Sequence, residues 1–310
     1  MKRNLVTGGS GFIGSNLIDY LINKGEKVIC LDNFSTSNGS NIRKWFNNDK
    51  FSLINQDVLN PISIEIDRIW HLASPASPIK YIKDPITTSK VNFIGTDNML
   101  KLATKNCARI MLASTSEIYG DPKVQPQSEG YYGNVNNLNE RACYVEGKRI
   151  AESLCFDYKR TFGTDIRIIR IFNTYGPGME VKDGRVISNF INQALNNEPL
   201  TIYGSGKQTR SFCYVKDLIK GMISLMENPY EKPLNIGNEE EFSIMNLAEL
   251  IRKKINKDLD IIFLEKRKDD PFRRRPQIKL AKDILGWEPT IPLEVGIEET
   301  IKYFTSMDLK

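Results

Sequence analysis

The sequence has one histidine, His71, so a metal centre built from several histidines is excluded. Its five cysteines, Cys30, Cys107, Cys143, Cys155 and Cys213, are scattered, with no C-x-x-C spacing. An odd, dispersed set argues against a disulfide framework or a zinc site and for reduced thiols. No stretch approaches the roughly 18–20 apolar residues of a membrane span. The first apolar pair, Leu5-Val6, leads straight into a glycine loop without a secretory pattern. The expectation is a cytoplasmic protein with no metal and no membrane partner. Charge of one sign is also scarce: 43 Lys+Arg stand against 38 Asp+Glu, a net +5. The basic residues are spread out except at Lys266–Arg275, with no aromatic residues interleaved along a sheet. Nucleic acid is therefore not an expected partner, and the small excess suits an anionic small molecule.

The 310 residues are 40% hydrophobic and 26% charged, enough for one large α/β domain or two intimate ones. Short apolar runs predict strands at Asn4–Thr7, Lys27–Leu31, Phe51–Asn55, Arg68–Leu72, Arg109–Ala113 and Asp165–Ile171. Amphipathic stretches predict helices between most of them, notably Phe12–Lys24, Thr88–Asn106 and Tyr144–Phe162. Such alternation implies an α/β fold with a Rossmann-type, doubly wound parallel sheet covered on both faces. After Phe172 the rhythm loosens. Helices are expected near Val186–Asn196, Val215–Glu227 and from an N-cap at Ser243 to about Ile255. Strands are expected at Leu200–Tyr203, Leu234–Ile236 and Asp260–Leu264, and two short helices close the chain. Residues 1–175, with a segment near 210–237 returning to them, form the first domain. Residues 176–209 and 238–310 form a smaller C-terminal α/β substrate-binding lobe.

Thr7-Gly8-Gly9-Ser10-Gly11-Phe12-Ile13-Gly14 joins the first strand to the first helix. Glycines there permit a tight turn and let a pyrophosphate approach backbone N–H groups at a helix N-terminus. Asp32 ends the second predicted strand, where its carboxylate can accept both ribose hydroxyls and repel a 2′-phosphate, favouring NAD over NADP. Tyr144 and Lys148 share one helix face. They follow Ser114-Thr115-Ser116 at the end of the fifth strand, where parallel sheets build their sites. A neighbouring ammonium and a cationic nicotinamide ring both favour phenolate, making Tyr144 a base. His71 lies within a strand and reads as a packed core residue.

The GxxGxxG spacing resembles the extended short-chain dehydrogenases/reductases, and so do Asp57-Val58, Leu72-Ala73-Ser74 and Asn92. Within them, the chain is similar to the UDP-glucuronate decarboxylases. That likeness rests on Ser114-Thr115-Ser116-Glu117-Ile118-Tyr119-Gly120, Leu72-Ala73-Ser74-Pro75-Ala76-Ser77-Pro78 and Arg141-Ala142-Cys143-Tyr144. It continues through Arg170-Ile171-Phe172-Asn173-Thr174-Tyr175-Gly176-Pro177, Asp183-Gly184-Arg185-Val186, Tyr203-Gly204-Ser205-Gly206-Lys207-Gln208-Thr209-Arg210, Asp269-Asp270-Pro271 with Arg274, and Leu285-Gly286-Trp287-Glu288-Pro289. Dehydratases of the group carry an aspartate where Ser116 stands, and simple epimerases usually lack Glu117. Val145, where the group usually has an acid, and the run Arg273-Arg274-Arg275 are departures; the second leaves open which arginine faces the sugar.

The resemblance implies bound NAD, decarboxylation of UDP-glucuronate to UDP-xylose and carbon dioxide, and a homodimer built on the two long helices. Those helices carry Val91, Ile94 and Leu102, and Ile150, Leu154 and Tyr158. The implied catalytic residues are Thr115, Glu117, Tyr144, Lys148 and Arg274. Cofactor contacts are implied at Gly8, Gly11, Phe12, Ile13, Gly14, Asp32, Asn33, Ser35, Thr36, Asp57, Val58, Leu72, Ser74, Asn92, Tyr144, Lys148 and Thr174. Substrate contacts are implied at Tyr81, Lys90, Asn173, Arg185, Gln208, Arg210, Tyr214 and Arg274. Three alternatives remain open: a 4-epimerase of the same uronic acid, an oxidative decarboxylase that releases a 4-keto pentose, and a non-catalytic NAD-sensing module.

Overall fold

A computed structural model describes residues 1–265 and 273–308. The Asp269-Asp270-Pro271 segment and most of the expected basic loop lie outside the described residues.

The first half runs β1 (Arg3–Thr7), α1 (Phe12–Asn23), β2 (Lys27–Asp32), β3 (Phe51–Asn55), β4 (Arg68–His71), α2 (Pro78–Lys83), α3 (Pro85–Lys90), α4 (Thr96–Asn106), β5 (Arg109–Thr115), α5 (Ala142–Phe162) and β6 (Ile166–Ile171). The second half runs β7 (Thr174–Tyr175), α6 (Val186–Leu195), β8 (Leu200–Tyr203), β9 (Thr209–Ser211), β10 (Cys213–Tyr214), α7 (Val215–Glu227), β11 (Pro233–Ile236), β12 (Glu241–Ser243), α8 (Ile244–Ile255), β13 (Ile261–Leu264), β14 (Arg273–Arg274), α9 (Lys279–Leu285) and α10 (Leu293–Asp308).

Seven strands form one parallel sheet in the order β11-β6-β5-β4-β1-β2-β3. The order reverses between β1 and β4, so the crevice beyond their carboxyl ends is where such sheets hold ligands. The central strands are buried along nearly their whole length because helices cover both faces. One core packs α1 through Leu17, Ile18, Leu21 and Ile22 against α7 through Leu218, Met222 and Leu225. Each such buried side chain contributes about 1.5–3 kcal/mol. The opposite core joins α4 and α5 to the other face through Met99, Leu100, Ala151 and Cys155. β6 also carries two buried guanidinium groups. Arg170 is forked onto Glu152 (Nη2–Oε2 2.8 Å) and donates to the Tyr119 hydroxyl, which satisfies a charge that burial alone would penalise.

The third core belongs to the smaller lobe, where α6, α8 and α10 enclose Phe190, Ile191, Leu247, Ile251, Ile297 and Phe304. There β8 pairs in parallel with β13, and β9 lies between β12 and β14. Ser243 does cap α8, its hydroxyl accepting from Asn246 N at 3.0 Å. Ile278, Ala281 and Trp287, from the stretch expected in the lobe, instead pack into the first core beside β11 and α7. The last helix spans 16 residues where a short one was expected.

The helix expected over Thr88–Asn106 is not continuous. Between α3 and α4, Val91–Gly95 widens into a π turn. Asn92 Nδ2 donates to the Thr88 carbonyl (2.9 Å), and Thr96 Oγ1 donates to the Asn92 carbonyl (2.6 Å). Side chains inserted among the backbone acceptors favour such widening. Among the described residues no helix is long and apolar enough to cross a membrane.

Candidate active site

A cleft of about 1070 Å³ runs along the carboxyl edge of the sheet between the first domain and the lobe. The glycine loop forms one end. Gly8 has φ +66°, and a Cβ there would meet the Ala73 backbone at 2.8 Å. A Cβ on Gly14 would lie 2.3 Å from the Gly8 carbonyl oxygen, so the loop closes this tightly only with glycine. The first turn of α1 has no acidic residue and no side-chain cap, which leaves its N–H groups and dipole for an anion. Asp32 Oδ2 accepts from Ser10 N and Oδ1 from Phe34 N, each at 2.9 Å. Each oxygen keeps a second lone pair for a ribose hydroxyl. Asn33 donates to Asp57 (2.7 Å), fixing the cleft wall beside Asp32. Gly11, Phe12, Ile13, Ser35, Thr36, Val58, Leu72, Ser74 and Thr174 line the same cleft. This cradle fits a dinucleotide: glycine where backbone must approach, a helix N-terminus, and a carboxylate at the end of the neighbouring strand.

The candidate catalytic residues gather where β5 ends and α5 begins. Tyr144 and Lys148 are buried on one face of α5. Lys148 Nζ donates to the Ala113 carbonyl at 2.8 Å and lies 5.9 Å from the Tyr144 ring centre. Burial lowers Lys148 to about 8. Burial pushes the Tyr144 phenol well up, and a hydrogen bond to Thr115 only partly offsets this. From the sequence, Lys148 and a cationic nicotinamide ring together are expected to favour the phenolate. The protein's own groups instead leave Tyr144 protonated, because desolvation outweighs every neighbour. A cationic nicotinamide ring is the group whose charge favours phenolate there.

Glu117, two residues beyond Thr115, ion-pairs with Arg274 (Nη1–Oε1 2.5 Å) and with Arg141. Burial opposes its ionisation, but Arg274, Arg141 and Arg210 overcome this and hold the carboxyl below its ordinary range. Arg141 Nε also donates to the Tyr81 hydroxyl (2.9 Å), and the Tyr81 ring stacks on Tyr144. Arg141 and its two partners were not foreseen as a unit. Its place in Arg141-Ala142-Cys143-Tyr144 was the one signal. Of the three consecutive arginines, Arg274 lines the cleft, whereas Arg273 is turned to Glu241.

At the lobe end, Asn173, Arg185, Gln208 and Arg210 line the cleft. Asp183 orients Arg185 (Nε–Oδ2 2.7 Å), and Gln208 Nε2 donates to the Tyr203 carbonyl (2.7 Å). Three expected residues stand off the cleft. Asn92 is buried against α5, where a Cβ on Gly147 would come within 2.9 Å of it, so it packs two helices together. Lys90 is exposed at the end of α3. Tyr214 is buried against Tyr175 with ring centres 5.5 Å apart, and Phe212 lines the cleft near it. His71 is a neutral core residue: it bonds Thr7 (2.8 Å) and Thr96 (3.1 Å), and burial lowers it to about 3.

Residues 4–237 match the NAD dependent epimerase/dehydratase family. The chain is 53% identical over 303 residues to UDP-glucuronic acid decarboxylase 1 of Xenopus tropicalis, covering 98% of this chain and 72% of that protein. It is 53% identical to UDP-glucuronic acid decarboxylase 6 of Arabidopsis thaliana, covering 95% of this chain and 86% of that one. A solved UDP-glucuronic acid 4-epimerase from Bacillus cereus, in complex with UDP-glucuronic acid and NAD, superposes with a TM-score of 0.88 at 29% identity, covering 98% and 99% of the two chains.

Proposed function

Because this chain belongs to the NAD dependent epimerase/dehydratase family, we propose that it decarboxylates UDP-glucuronate to UDP-xylose and carbon dioxide in a closed redox cycle. NAD is the cofactor and UDP-glucuronate the substrate. The observation that carries the reading is Glu117, held ionised by Arg274 and Arg141 beside Thr115 and Tyr144. An ionised Glu117 next to Ser116 offers no carboxylic acid to expel a sugar hydroxyl, so dehydration lacks its acid. A β-keto acid needs none, because its ketone accepts the electron pair left by carbon dioxide.

NAD supplies the hydride acceptor at C4 and later the donor that restores it. Tyr144 takes the C4 hydroxyl proton, with Thr115 bonded to its phenol and Lys148 anchored at the Ala113 carbonyl. The C6 carboxylate is then β to a ketone, and carbon dioxide leaves. Thr115 and protonated Tyr144 stabilise the enolate oxygen. Water beside the Glu117–Arg274 pair protonates C5. Tyr144 then returns its proton to O4. Asn173, Arg185, Gln208 and Arg210 hold the nucleotide end, where guanidinium forks suit phosphates.

The reading extends to a cytoplasmic homodimer. Phe93, Ile94 and Ile150 are exposed on neighbouring helical segments and offer an apolar face for a second copy. Val91 and Leu102, from the same expected stripe, are buried in the protomer. Free cysteines suit a reducing compartment.

The test is incubation of purified protein with UDP-glucuronate, following carbon dioxide, reduced-nicotinamide absorbance and the nucleotide sugar by NMR. UDP-xylose and carbon dioxide without lasting reduced cofactor support the cycle. UDP-galacturonate without carbon dioxide replaces it by 4-epimerisation. A 4-keto pentose with stoichiometric reduced cofactor means hydride is not returned. No turnover with added NAD overturns the substrate.

A further inference from the structure

Two lips of the cleft face each other across the cofactor trough. One is the loop after Asp32, containing Thr36; the other is the loop between β7 and α6, containing Glu180. Both residues line the cleft. Lys80, on α2 between them, donates one hydrogen bond to the Thr36 carbonyl and ion-pairs with Glu180. A second link crosses nearby, from Asn41 Nδ2 to the Gly178 carbonyl (3.0 Å). One ammonium therefore ties both lips to α2, whose next residue, Tyr81, stacks on Tyr144.

We infer that Lys80 and Glu180 form a latch over the bound NAD and that it decides the product by holding the reduced cofactor until hydride has returned to C4. The latch rests on the closed-cycle reading. The alternative fate is balanced without any further reactant. Hydride stays on the cofactor, the proton lost from O4 is matched by the proton gained at C5, and UDP-4-keto-pentose, carbon dioxide and NADH leave. Retention and product identity are thus two readings of one contact. Because Lys80 is a quarter exposed and Glu180 about half, the pair is partly screened and its loss should be graded.

The variants are Glu180→Gln, which removes the ion pair at an exposed position, and Lys80→Met, which removes both bonds. Neither residue has a part in the chemistry or in holding the uridine end. The first readout needs no substrate: the rate at which NAD leaves the holoenzyme during rapid buffer exchange. It should rise about 3-fold in E180Q and about 10-fold in K80M. High salt should move wild type toward E180Q and leave K80M unchanged. The second readout is product partition by NMR: both variants should release 4-keto pentose with equimolar NADH, more in K80M, from protein that melts like wild type. Wild-type NAD release rates in both variants overturn the latch, and so does faster release with UDP-xylose still the sole product. Wild type that makes neither sugar defeats the parent reading, while the release rates still judge the latch.

Discussion

The rings of Tyr81 and Tyr144 lie parallel, 2° apart in plane, with centres 5.0 Å apart. Such a pair contributes about 0.5–1.5 kcal/mol beyond the area it buries. It also fixes the phenol proposed to exchange a proton with the sugar. Tyr144→Phe keeps the stack and removes the proton acceptor, so turnover should fall about 100- to 10,000-fold while NAD binding and melting temperature stay near wild type. Tyr81→Phe also keeps the stack and removes only the hydroxyl that accepts from Arg141 Nε, so it should cost far less. Turnover and melting curves on the two variants separate the roles, and equal losses would contradict them.

Glu117→Gln leaves the Arg274 and Arg141 guanidinium groups without their shared anion. Breaking one partner of a largely buried pair typically costs about 3–5 kcal/mol. A lower denaturation midpoint and loss of carbon dioxide release are expected. The carboxyl of Glu117 is depressed, so its contribution to stability is present above the ordinary carboxyl range and is lost as pH falls through the lower folded value. Acidification should therefore erode the wild type more than the variant, as denaturant titrations at a series of pH values would register.

Lys148 has the opposite sign. Burial lowers it from 10.5 to about 8, so above that pH the unfolded chain binds more protons at this site than the folded chain. Its burial penalty is full below about pH 8 and fades as pH rises toward the unfolded value. Without NAD, the stability of wild type relative to Lys148→Met should climb by roughly 2–3 kcal/mol between about pH 8 and 10. A flat difference would mean that another group titrates there. Tyr144, raised by burial, works against stability only above its ordinary value near 10.

Gly14→Ala places a methyl 2.3 Å from the Gly8 carbonyl oxygen, a contact that only backbone movement relieves. NAD binding by calorimetry should weaken at least about 10-fold, because the pyrophosphate cradle opens. Gly130→Ala, whose Cβ meets nothing within 4 Å, is the matched control and should bind NAD as wild type does.

Legibility followed the range of the interactions. The strands β1 to β6 could be read to within two residues because each is a short, mostly apolar run between turn residues. The glycine loop and Asp32 were legible because their spacing is local. The π turn at Val91–Gly95 was not, since it depends on Asn92 reaching Thr88 and on the close approach of Gly147. Arg141 was overlooked because its partners lie far away, Glu117 at 24 residues and Tyr81 at 60, and no periodicity encodes such pairings. Tyr214 was assigned to the site because its neighbourhood matched a pattern, but it sits under Tyr175.

The six residues of α2 meet three different walls in three consecutive positions. Ile79 lies against Gly184, Lys80 bridges Thr36 and Glu180, and Tyr81 faces Tyr144. Because successive helical positions differ by about 100°, one residue inserted or deleted between Ser77 and Asp84 would turn the ammonium toward the reactive phenol or toward solvent. It would undo the stack in the same stroke. Substitutions here act on one contact at a time, whereas a change of length acts on all three. In any collection of working variants, this stretch should therefore vary in spelling but keep its letter count.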